Sequence, residues 1–414
     1  MAVKSAPFGN NLQLMANLNS RQRAQAFNQY SILDTIRMHK EISRIQIAEI
    51  TGQSTASVTN ITADLIKKNL IYEKDPKEAA TPGRRRVELA INPDATYAAG
   101  IKISSSRISC AVTDMQANVR SSVVIPVQFS KRPLEYIADI IEDAVHHCAA
   151  NAGLAVDKFF GVGIGVPGLM KNESGVYTWN PLYKTGDTTF SDLITERLSL
   201  KTYIDNDSNA LTLSHLWYGK GVHTKNFLVI TIEEGIGMGI VIDKKLYRGP
   251  NRVASEFGHM VVSPGGELCR CGKRGCIEAY TNETAILSAA EKSLRSGNWC
   301  NDSGGELSLD LLIELARAGN KPLQSIFAQA GNILGLGIAA LIQLFHPEKI
   351  IFSGDGVKSG ELLFEPMKRS IEEHTNSDLI KPVQTIVEKW KDSDWARGAA
   401  TIALKEFYKY PFNS

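Results

Sequence analysis

Four side chains able to bind a soft metal ion lie within residues 259–276, and no other feature constrains the fold of this chain as strongly. In the spacing H-x9-C-x-C-x4-C, they are His259, Cys269, Cys271 and Cys276. Three thiolates and one imidazole complete a tetrahedral shell and leave no open position for a catalytic water. The spacing predicts one structural zinc ion per chain, with Arg270, Lys273 and Arg274 offsetting the thiolate charge. The alternative is that the cysteines are clustered by accident.

Residues 1–92 have the pattern of a helix-turn-helix domain, whose last helix enters the major groove of DNA. Helices are predicted over 23–39, 43–50 and 54–69, with serine caps at Ser43 and Ser54 and a tight turn at Gly52. The first helix has an apolar stripe of Phe27, Tyr30, Leu33 and Ile36. The third buries Val58, Ile61 and Leu65. Its solvent side carries Ala56 and the four side chains that we expect to contact DNA, which are Thr55, Thr59, Asn60 and Lys67.

A basic wing is predicted after the third helix. IYEK at 71–74 and VELAI at 87–91 read as two strands, the second with one face formed by Val87, Leu89 and Ile91. The turn-rich segment between the strands ends in Arg84, Arg85 and Arg86. We expect these guanidiniums to contact phosphates or a narrow minor groove. A plain interaction module with a solvated arginine surface is the alternative interpretation.

Charge separates this head from the rest of the chain. Residues 1–90 carry 13 Lys+Arg and 8 Asp+Glu, a net charge of +5, whereas the remaining 33 basic and 36 acidic residues give −3. This distribution suits a head that binds an anionic polymer. The N-terminus has no secretory pattern, and the apolar run at 333–345 reads as a buried helix, so we expect a cytoplasmic protein.

After Asn92 and Pro93 the pattern changes to alternating strands and helices. Strands are predicted in YAAGIKISSSRISCAVTD, FFGVGIGVPG, NFLVITIEEGIGMGIVID and KIIFSGDG, and long helices over 134–152 and 323–346. Such alternation indicates an α/β body with functional loops at the ends of the strands.

Four motifs of this body resemble the ROK family of sugar kinases and sugar-responsive repressors. They are GVGIGVPG at 161–168, DNDSNAL at 205–211, EFGH at 256–259 and CRCGKRGC followed by Ile277 and Glu278. With its N-terminal winged helix-turn-helix, the chain resembles the repressor branch. The resemblance implies an actin-like body of two lobes with RNase-H-like topology, a sugar in the cleft, and a homodimer or homotetramer. We expect the head at 1–92, the first lobe at 93–209 with a returning helix at 395–412, and the second lobe, with the zinc site and the dimerisation surface, at 210–394.

The resemblance also implies a set of polar side chains around a sugar. These are Asn180, Asn206, Asp207, Glu256, His259 and Glu278. In the family's kinases, the residue that matches Asp207 is the general base for the sugar hydroxyl. His259 has two ring nitrogens, one for zinc and one for a hydroxyl. The alternative is that Asn206 and Asp207 only cap a helix.

The segments that match the family's phosphate loops depart from the kinase pattern. Kinases carry an aspartate and Gly-Gly-Thr after the first strand, to hold magnesium and phosphate, where this chain has Lys102, Ile103 and Ser104–Ser106. Glu233 and Glu234 occupy the second loop, where two carboxylates repel a triphosphate. We therefore expect no enzyme activity, with Asp207 as a vestigial base.

Three functions compete on this evidence. The chain is interpreted as a repressor that binds operator DNA and responds to a sugar or sugar phosphate. One alternative is an active sugar kinase with a DNA-binding head, and the other is a repressor controlled by a protein partner. The polar pocket set favours the first over the last.

Overall fold

A computed structural model describes residues 20–74, 87–128, 132–170, 177–179, 190–249, 254–297 and 307–409. They form two compact units, Met1–Val222 with Asp392–Ser414, and His223–Lys391. The first unit contains the N-terminal head and one α/β lobe, and the second contains the other lobe. Residues 210–222, which the sequence analysis places in the second lobe, lie in the first unit because their helix packs on the C-terminal helix.

Within residues 20–74 and 87–92, the head consists of three helices and an antiparallel sheet of order β1-β3-β2. Its elements are α1 (Ser20–His39), β1 (Glu41–Ser43), α2 (Arg44–Thr51), α3 (Thr55–Lys67), β2 (Ile71–Lys74) and β3 (Glu88–Ile91). Ser43 and Gln46 form a reciprocal capping box at the start of α2. Gly52 follows with a φ of 68°, a left-handed conformation that glycine adopts without strain. The predicted winged helix-turn-helix is therefore confirmed.

Three apolar side chains of the head, Phe27, Ile61 and Val87, are less buried than predicted. Ile61 is only partly buried, because the buried residues of α3 are Val58, Thr62 and Leu65. Phe27 is 67% exposed, because burial along α1 begins only at Gln29 and the earlier turns project beyond the core. Val87 is also exposed, because β3 begins one residue later, at Glu88. The consecutive residues Leu89, Ala90 and Ile91 are all buried, and because successive side chains of a strand point to opposite faces, both faces of β3 are covered.

The α/β lobe of the first unit is built on a five-stranded sheet of order β10-β7-β4-β5-β6. Its elements are β4 (Tyr97–Ile103), β5 (Arg107–Asp114), β6 (Val119–Pro126), α4 (Leu134–Asn151), β7 (Phe159–Val166), β8 (Leu169–Met170), β9 (Tyr177–Trp179), α5 (Phe190–Leu198), β10 (Lys201–Asn206), α6 (Asp207–Tyr218) and the C-terminal α13 (Asp392–Lys409). β4, β5 and β6 pair antiparallel, and β7 and β10 continue the sheet in parallel with β4.

Two glycines allow α13 to lie directly on this sheet. A Cβ atom on Gly100 would lie 1.9 Å from the backbone oxygen of Ala396, and one on Gly163 would lie 1.8 Å from that of Ala399. Real Cβ atoms do not approach an oxygen so closely, so both positions require glycine. The glycine-rich strand FFGVGIGV therefore serves as a packing surface for the C-terminal helix.

The second unit repeats the same sheet topology, with order β13-β12-β11-β14-β15. Its elements are β11 (Phe227–Ile232), β12 (Ile236–Ile242), β13 (Lys245–Tyr247), α7 (Glu278–Thr281), α8 (Glu283–Arg295), α9 (Leu309–Arg317), α10 (Lys321–Phe345), β14 (Lys349–Ser353), α11 (Glu361–His374), α12 (Ser377–Ile380) and β15 (Gln384–Val387). In both sheets, three antiparallel strands are followed by two parallel ones. The two RNase-H-like units confirm the predicted fold class.

The long helix α10 forms the centre of the second unit's core. Among the described residues, it is the helix whose length and hydropathy would suit a membrane span. Leu334, Ile338 and Ile342 are nonetheless fully buried against the sheet and the neighbouring helices. Residues 333–342 of the predicted buried helix thus belong to the core, whereas Leu344 and Phe345 at its end are exposed.

Candidate DNA-binding, effector and metal sites

The outer face of α3 carries the described side chains predicted to contact DNA. Val58 and Leu65 anchor the helix in the core of the head. The opposite face is exposed and consists of Thr55, Ala56, Thr59, Asn60 and Lys67. The Thr59 hydroxyl donates to the backbone oxygen of Thr55 at 2.8 Å, which fixes its rotamer. Arg84, Arg85 and Arg86 lie outside the described residues. An exposed helix face with an amide, hydroxyls and a lysine can contact both base edges and phosphates.

Lys102 and Asp207 form a buried ion pair at the carboxyl ends of β4 and β10. Lys102 Nζ lies 3.6 Å from Asp207 Oδ2, and the two side chains are 6% and 15% exposed. The same Nζ lies 3.4 Å from the ring centroid of Trp395 on α13, within the range of a cation–π contact. Burial raises the pKa of Asp207, and the positive charge of Lys102 opposes that rise. A buried ammonium group of the chain itself therefore lies beside the Asp207 carboxylate.

Asn206 is the N-cap of α6. Its Oδ1 accepts hydrogen bonds from the backbone N–H groups of Ser208 and Asn209, at 3.0 and 3.2 Å. Its Nδ2 donates to the backbone oxygen of Gly168 at 3.2 Å, which ties the cap to the loop after β7. The side chain thus has the capping role that the sequence analysis left open. It holds the first turn of α6, and so Asp207, in position.

The four predicted metal ligands converge at one point in the second unit. The ligand atoms of His259, Cys269, Cys271 and Cys276 all lie within 4.8 Å of one another. Cys269 Sγ is 3.5 Å from His259 Nδ1, and Cys271 Sγ is 3.8 Å from Cys276 Sγ. A tetrahedral zinc ion with ordinary bond lengths requires S···N and S···S separations of about 3.6 and 3.8 Å. Burial lowers the pKa of His259, which favours the neutral imidazole that metals bind. The cluster fits a metal of this kind.

Glu278 is held by an arginine of the cysteine loop. Arg270 lies between two of the cysteine ligands, and its Nε and Nη2 contact the two carboxylate oxygens of Glu278 at 2.6 and 3.1 Å. The backbone N–H of Ile236 donates to Glu278 Oε2 at 3.0 Å. Arg270 therefore balances the charge of Glu278, rather than that of the thiolates as the sequence analysis expects. Gly235 lies close to this pair, since a Cβ there would lie 2.5 Å from Arg270 Nη2 and would displace the guanidinium.

Glu256 precedes a single turn of 3-10 helix, Phe257–His259, and His259 is the last residue of that turn. His259 Nε2 lies 4.0 Å from Glu256 Oε2, while Nδ1 faces Cys269. The two ring nitrogens thus point to different surroundings, one toward the metal ligands and one toward a partly exposed carboxylate. Asn180 lies outside the described residues.

Residues 102–106 and 233–235, the segments that the sequence analysis compares with phosphate loops, each contain a turn closed by local hydrogen bonds. The N–H and the hydroxyl of Ser104 both donate to the backbone oxygen of Arg107 at 3.0 Å, which makes a tight turn between β4 and β5. In the other segment, the Glu233 N–H donates to the Gly235 oxygen at 2.9 Å. Each turn therefore uses a backbone N–H group internally.

Sequence reasoning missed two partners of these sites, Trp395 and the Arg270 contact with Glu278. Trp395 is 293 positions from Lys102 in the chain, so no local pattern indicates that it stacks on the lysine. Arg270 was visible inside the cysteine motif, and the buried carboxylate of Glu278, two residues after the last cysteine, was the signal that could have identified its partner.

Comparison with known proteins identifies relatives for both the head and the body of the chain. A model of the MarR family matches residues 27–78, and a model of the ROK family matches residues 98–406. A putative xylose repressor of Caldicellulosiruptor sp. (strain Rt8B.4) is 29% identical over 392 residues, covering 93% of this chain and 97% of that protein. The N-acetylglucosamine repressor of Escherichia coli O157:H7 is 25% identical over 398 residues, covering 95% and 94%.

Solved structures show the same architecture. A ROK family transcriptional regulator described as a homologue of the E. coli MLC protein superposes with a TM-score of 0.79 at 23% identity, covering 93% of this chain and 97% of that one. A ROK family glucokinase from Streptomyces griseus gives 0.64 at 26% identity, covering 73% of this chain and 98% of the kinase. The predicted combination of a DNA-binding head with a kinase-like body is confirmed. The chain belongs to the ROK family.

Proposed function

We propose that this chain is a sugar-responsive transcriptional repressor of genes for carbohydrate uptake or catabolism. It binds operator DNA through the head and a sugar or sugar phosphate through the kinase-like body. One combined observation supports the proposal. The outer face of α3 is exposed, as a recognition helix requires, and Lys102 is paired with Asp207, the carboxylate that the family's kinases would use as their base.

The Lys102–Asp207 pair argues for binding of a sugar without phosphorylation. A lysine at position 102 repels the hydrated magnesium that a carboxylate holds in the family's kinases. The charge of Lys102 also opposes the rise in the Asp207 pKa that burial causes, so the carboxylate is a weaker base toward a sugar hydroxyl than it would be without the lysine. It can still accept a hydrogen bond from that hydroxyl. The site therefore keeps recognition and loses the groups that transfer a phosphoryl group.

Further sugar contacts come from the other family positions. Asp207, Glu256 and His259 Nε2 supply acceptor and donor groups, and Asn180 completes the set that the resemblance implies. Asn206 and Glu278 act through their neighbours, since one caps α6 and the other is bound by Arg270. Pairs of adjacent hydroxyls are matched by carboxylates and amides of this kind.

We assign one structural zinc ion to His259, Cys269, Cys271 and Cys276. The ion would cross-link a loop with little regular structure. It would supply no catalytic chemistry, because all four tetrahedral positions are filled by protein ligands. Zinc would also fix the His259 ring, so that Nε2 keeps its direction. The matched S···S and S···N distances support this assignment.

A sugar kinase with a DNA-binding head is the second candidate. It is favoured by the likeness to a glucokinase and by the carboxylate at Asp207. Steady ATP-dependent phosphorylation of a sugar by the pure protein would establish it in place of the first.

The repressor acts in the cytoplasm as a homodimer or homotetramer on double-stranded operator DNA. Heads of this type bind two half-sites about one helical turn apart, so a sugar acts by changing the spacing or orientation of paired heads. A sugar shifts this equilibrium only if it binds one arrangement more tightly than the other.

The test of DNA recognition starts with an operator selected by the wild-type protein from a random DNA library. Asn60→Ala should weaken binding by about 1–3 kcal/mol and relax the preference at one base position. Gln25→Ala, an exposed amide on α1, is the matched control and should change little. If Asn60→Ala retains full affinity and preference, α3 is not the recognition helix.

The test of the effector is a thermal-shift screen of xylose and N-acetylglucosamine, the sugars named in the relatives, each free and phosphorylated. A ligand at one hundred times its Kd should stabilise the folded protein by about 2.7 kcal/mol. Asp207→Asn should reduce that shift. Absence of any sugar-dependent shift would favour the alternative of control by a protein partner.

A further inference from the structure

A buried arginine joins the DNA-binding head to the first α/β lobe. Arg37 lies near the end of α1, and its side chain is 6% exposed. Its guanidinium carbon lies 4.1 Å from the ring centroid of Trp217, 5.6 Å from that of Tyr218 and 6.0 Å from that of Tyr408. Asp34, one turn earlier on α1, binds it at 2.6 Å. Trp217, Tyr218 and Tyr408 thus form an aromatic cage around the guanidinium, which we call the arginine cage. It suits an arginine rather than a lysine, because a planar guanidinium stacks on aromatic rings.

Arg37 also contacts the end of a helix backbone. Its Nη1 donates to the backbone oxygen of Trp217, in the last turn of α6. The carboxyl end of a helix carries partial negative charge, so a cation is stabilised there. The aromatic rings and this carbonyl thus bind one arginine from two helices, α6 and α13.

The same two helices begin at the Lys102–Asp207 pair. Asp207 is the first residue of α6, and Trp395, which stacks on Lys102, lies in the first turn of α13. Trp217 and Tyr408 are reached 10 and 13 residues later. At a rise of about 1.5 Å per residue, each helix runs about 15–20 Å from the ion pair to the arginine cage.

Close packing makes α6 and α13 one block. A Cβ on Gly398 of α13 would lie 3.1 Å from the backbone oxygen of Ala210 on α6, so the two backbones are in contact. Gly100 and Gly163 seat α13 on the sheet just as closely. Packed elements of this kind move as units, not by gradual deformation.

The head is correspondingly rigid around α1. Gln29 on α1 hydrogen-bonds Asp64 on α3 at 3.5 Å, and Gln53, just before α3, donates to the backbone oxygen of Asn28 at 3.3 Å. Leu33 and Ile36 fill the core beneath α3. A change in the direction of α1 is therefore passed to the recognition helix.

We infer that α6 and α13 transmit effector binding to the head, and that Arg37 is the positioning residue that fixes the head to them. This inference rests on the proposed function. A sugar hydroxyl that binds Asp207 alters its contact with Lys102, and both helix starts touch that pair. A displacement of the block reaches α1 through the arginine cage.

The test compares Arg37→Met with Arg44→Met as a matched control. Arg44 binds Thr62 and Glu73 within the head and does not enter the cage. Operator affinity is measured by fluorescence anisotropy with and without saturating xylose or N-acetylglucosamine, and sugar affinity by calorimetry. Effectors commonly change affinity by about 5–150-fold. For Arg37→Met, the change in operator affinity caused by the sugar should fall below about twofold. The affinity for the sugar itself should stay within about threefold of wild type.

A second variant guards against a folding defect. Arg37→Lys keeps the charge beside Asp34 but loses the planar stacking on the aromatic rings. Its sugar response should therefore lie between those of wild type and Arg37→Met. Arg44→Met should retain the full response. A full response in Arg37→Met, or a loss of response in Arg44→Met as large as in Arg37→Met, would overturn the inference. If wild-type protein binds sugar without any change in operator affinity, the proposed function itself fails, and the inference with it.

Discussion

Replacing Lys102 with methionine removes the cation from a buried carboxylate and keeps the volume of the side chain. At a separation of 3.6 Å and an effective dielectric constant of about 20, the attraction between Lys102 and Asp207 is about 4.6 kcal/mol. Removal of one partner of a buried pair typically costs about 3–5 kcal/mol, because the other charge stays buried alone. We therefore expect Lys102→Met to lower the free energy of unfolding at pH 7 by about 3–5 kcal/mol.

The cost should depend on pH in a defined direction. Burial already raises the pKa of Asp207 above its usual value of 3.8, and loss of Lys102 raises it further. A carboxyl group whose pKa is higher in the folded than in the unfolded protein stabilises the folded state at a pH below the unfolded-state pKa. This stabilisation is lost as the pH rises through the folded-state pKa. The variant should thus be most destabilised near neutral pH and should approach the wild type in acid, where Asp207 is protonated in both.

Urea unfolding followed by tryptophan fluorescence at several pH values measures this effect. The double variant Lys102→Met/Asp207→Asn is the control, because a neutral amide needs no cation. It should recover most of the stability lost in Lys102→Met. A loss below about 1 kcal/mol at neutral pH, or a double variant no more stable than the single one, would refute a buried charge pair at this site.

Two further predictions concern packing and metal. Gly163→Ala should lower the free energy of unfolding by about 2–3 kcal/mol or more, because the new Cβ would lie 1.8 Å from the Ala399 oxygen. Gly165→Ala is the control and should cost much less, because the nearest atom to its Cβ would be 3.4 Å away. Elemental analysis should find one zinc ion per chain in the wild type and Cys148→Ser, and none in Cys271→Ser; zinc retained in Cys271→Ser would contradict the ligand set.

Local patterns were sufficient for the features that depend on neighbouring residues. Ser43 and Gln46 form a capping box, Gly52 turns the chain, and the cysteine spacing brings the predicted ligands together. Each depends on residues within about twenty positions, where sequence periodicity and motif spacing carry information.

Contacts between distant segments were not predictable in the same way. Arg37 meets Trp217 and Tyr408 across 180 and 371 positions, and Trp395 meets Lys102 across 293. From the sequence alone, a single arginine in a helix is predicted to be exposed, because long charged side chains are rarely buried without partners. Only the fold brings its partners together.

The most direct test of the central claim is operator affinity in buffer without ATP and magnesium. Fluorescence anisotropy with the selected operator gives the Kd with and without a saturating sugar. If the body is a sugar sensor and not a kinase, the sugar alone should change this Kd by about 5–150-fold, and Asp207→Asn should abolish the change while basal operator affinity stays the same. A Kd that is unchanged by sugar, or that changes only when ATP and magnesium are added and a phosphorylated sugar accumulates, would contradict the account.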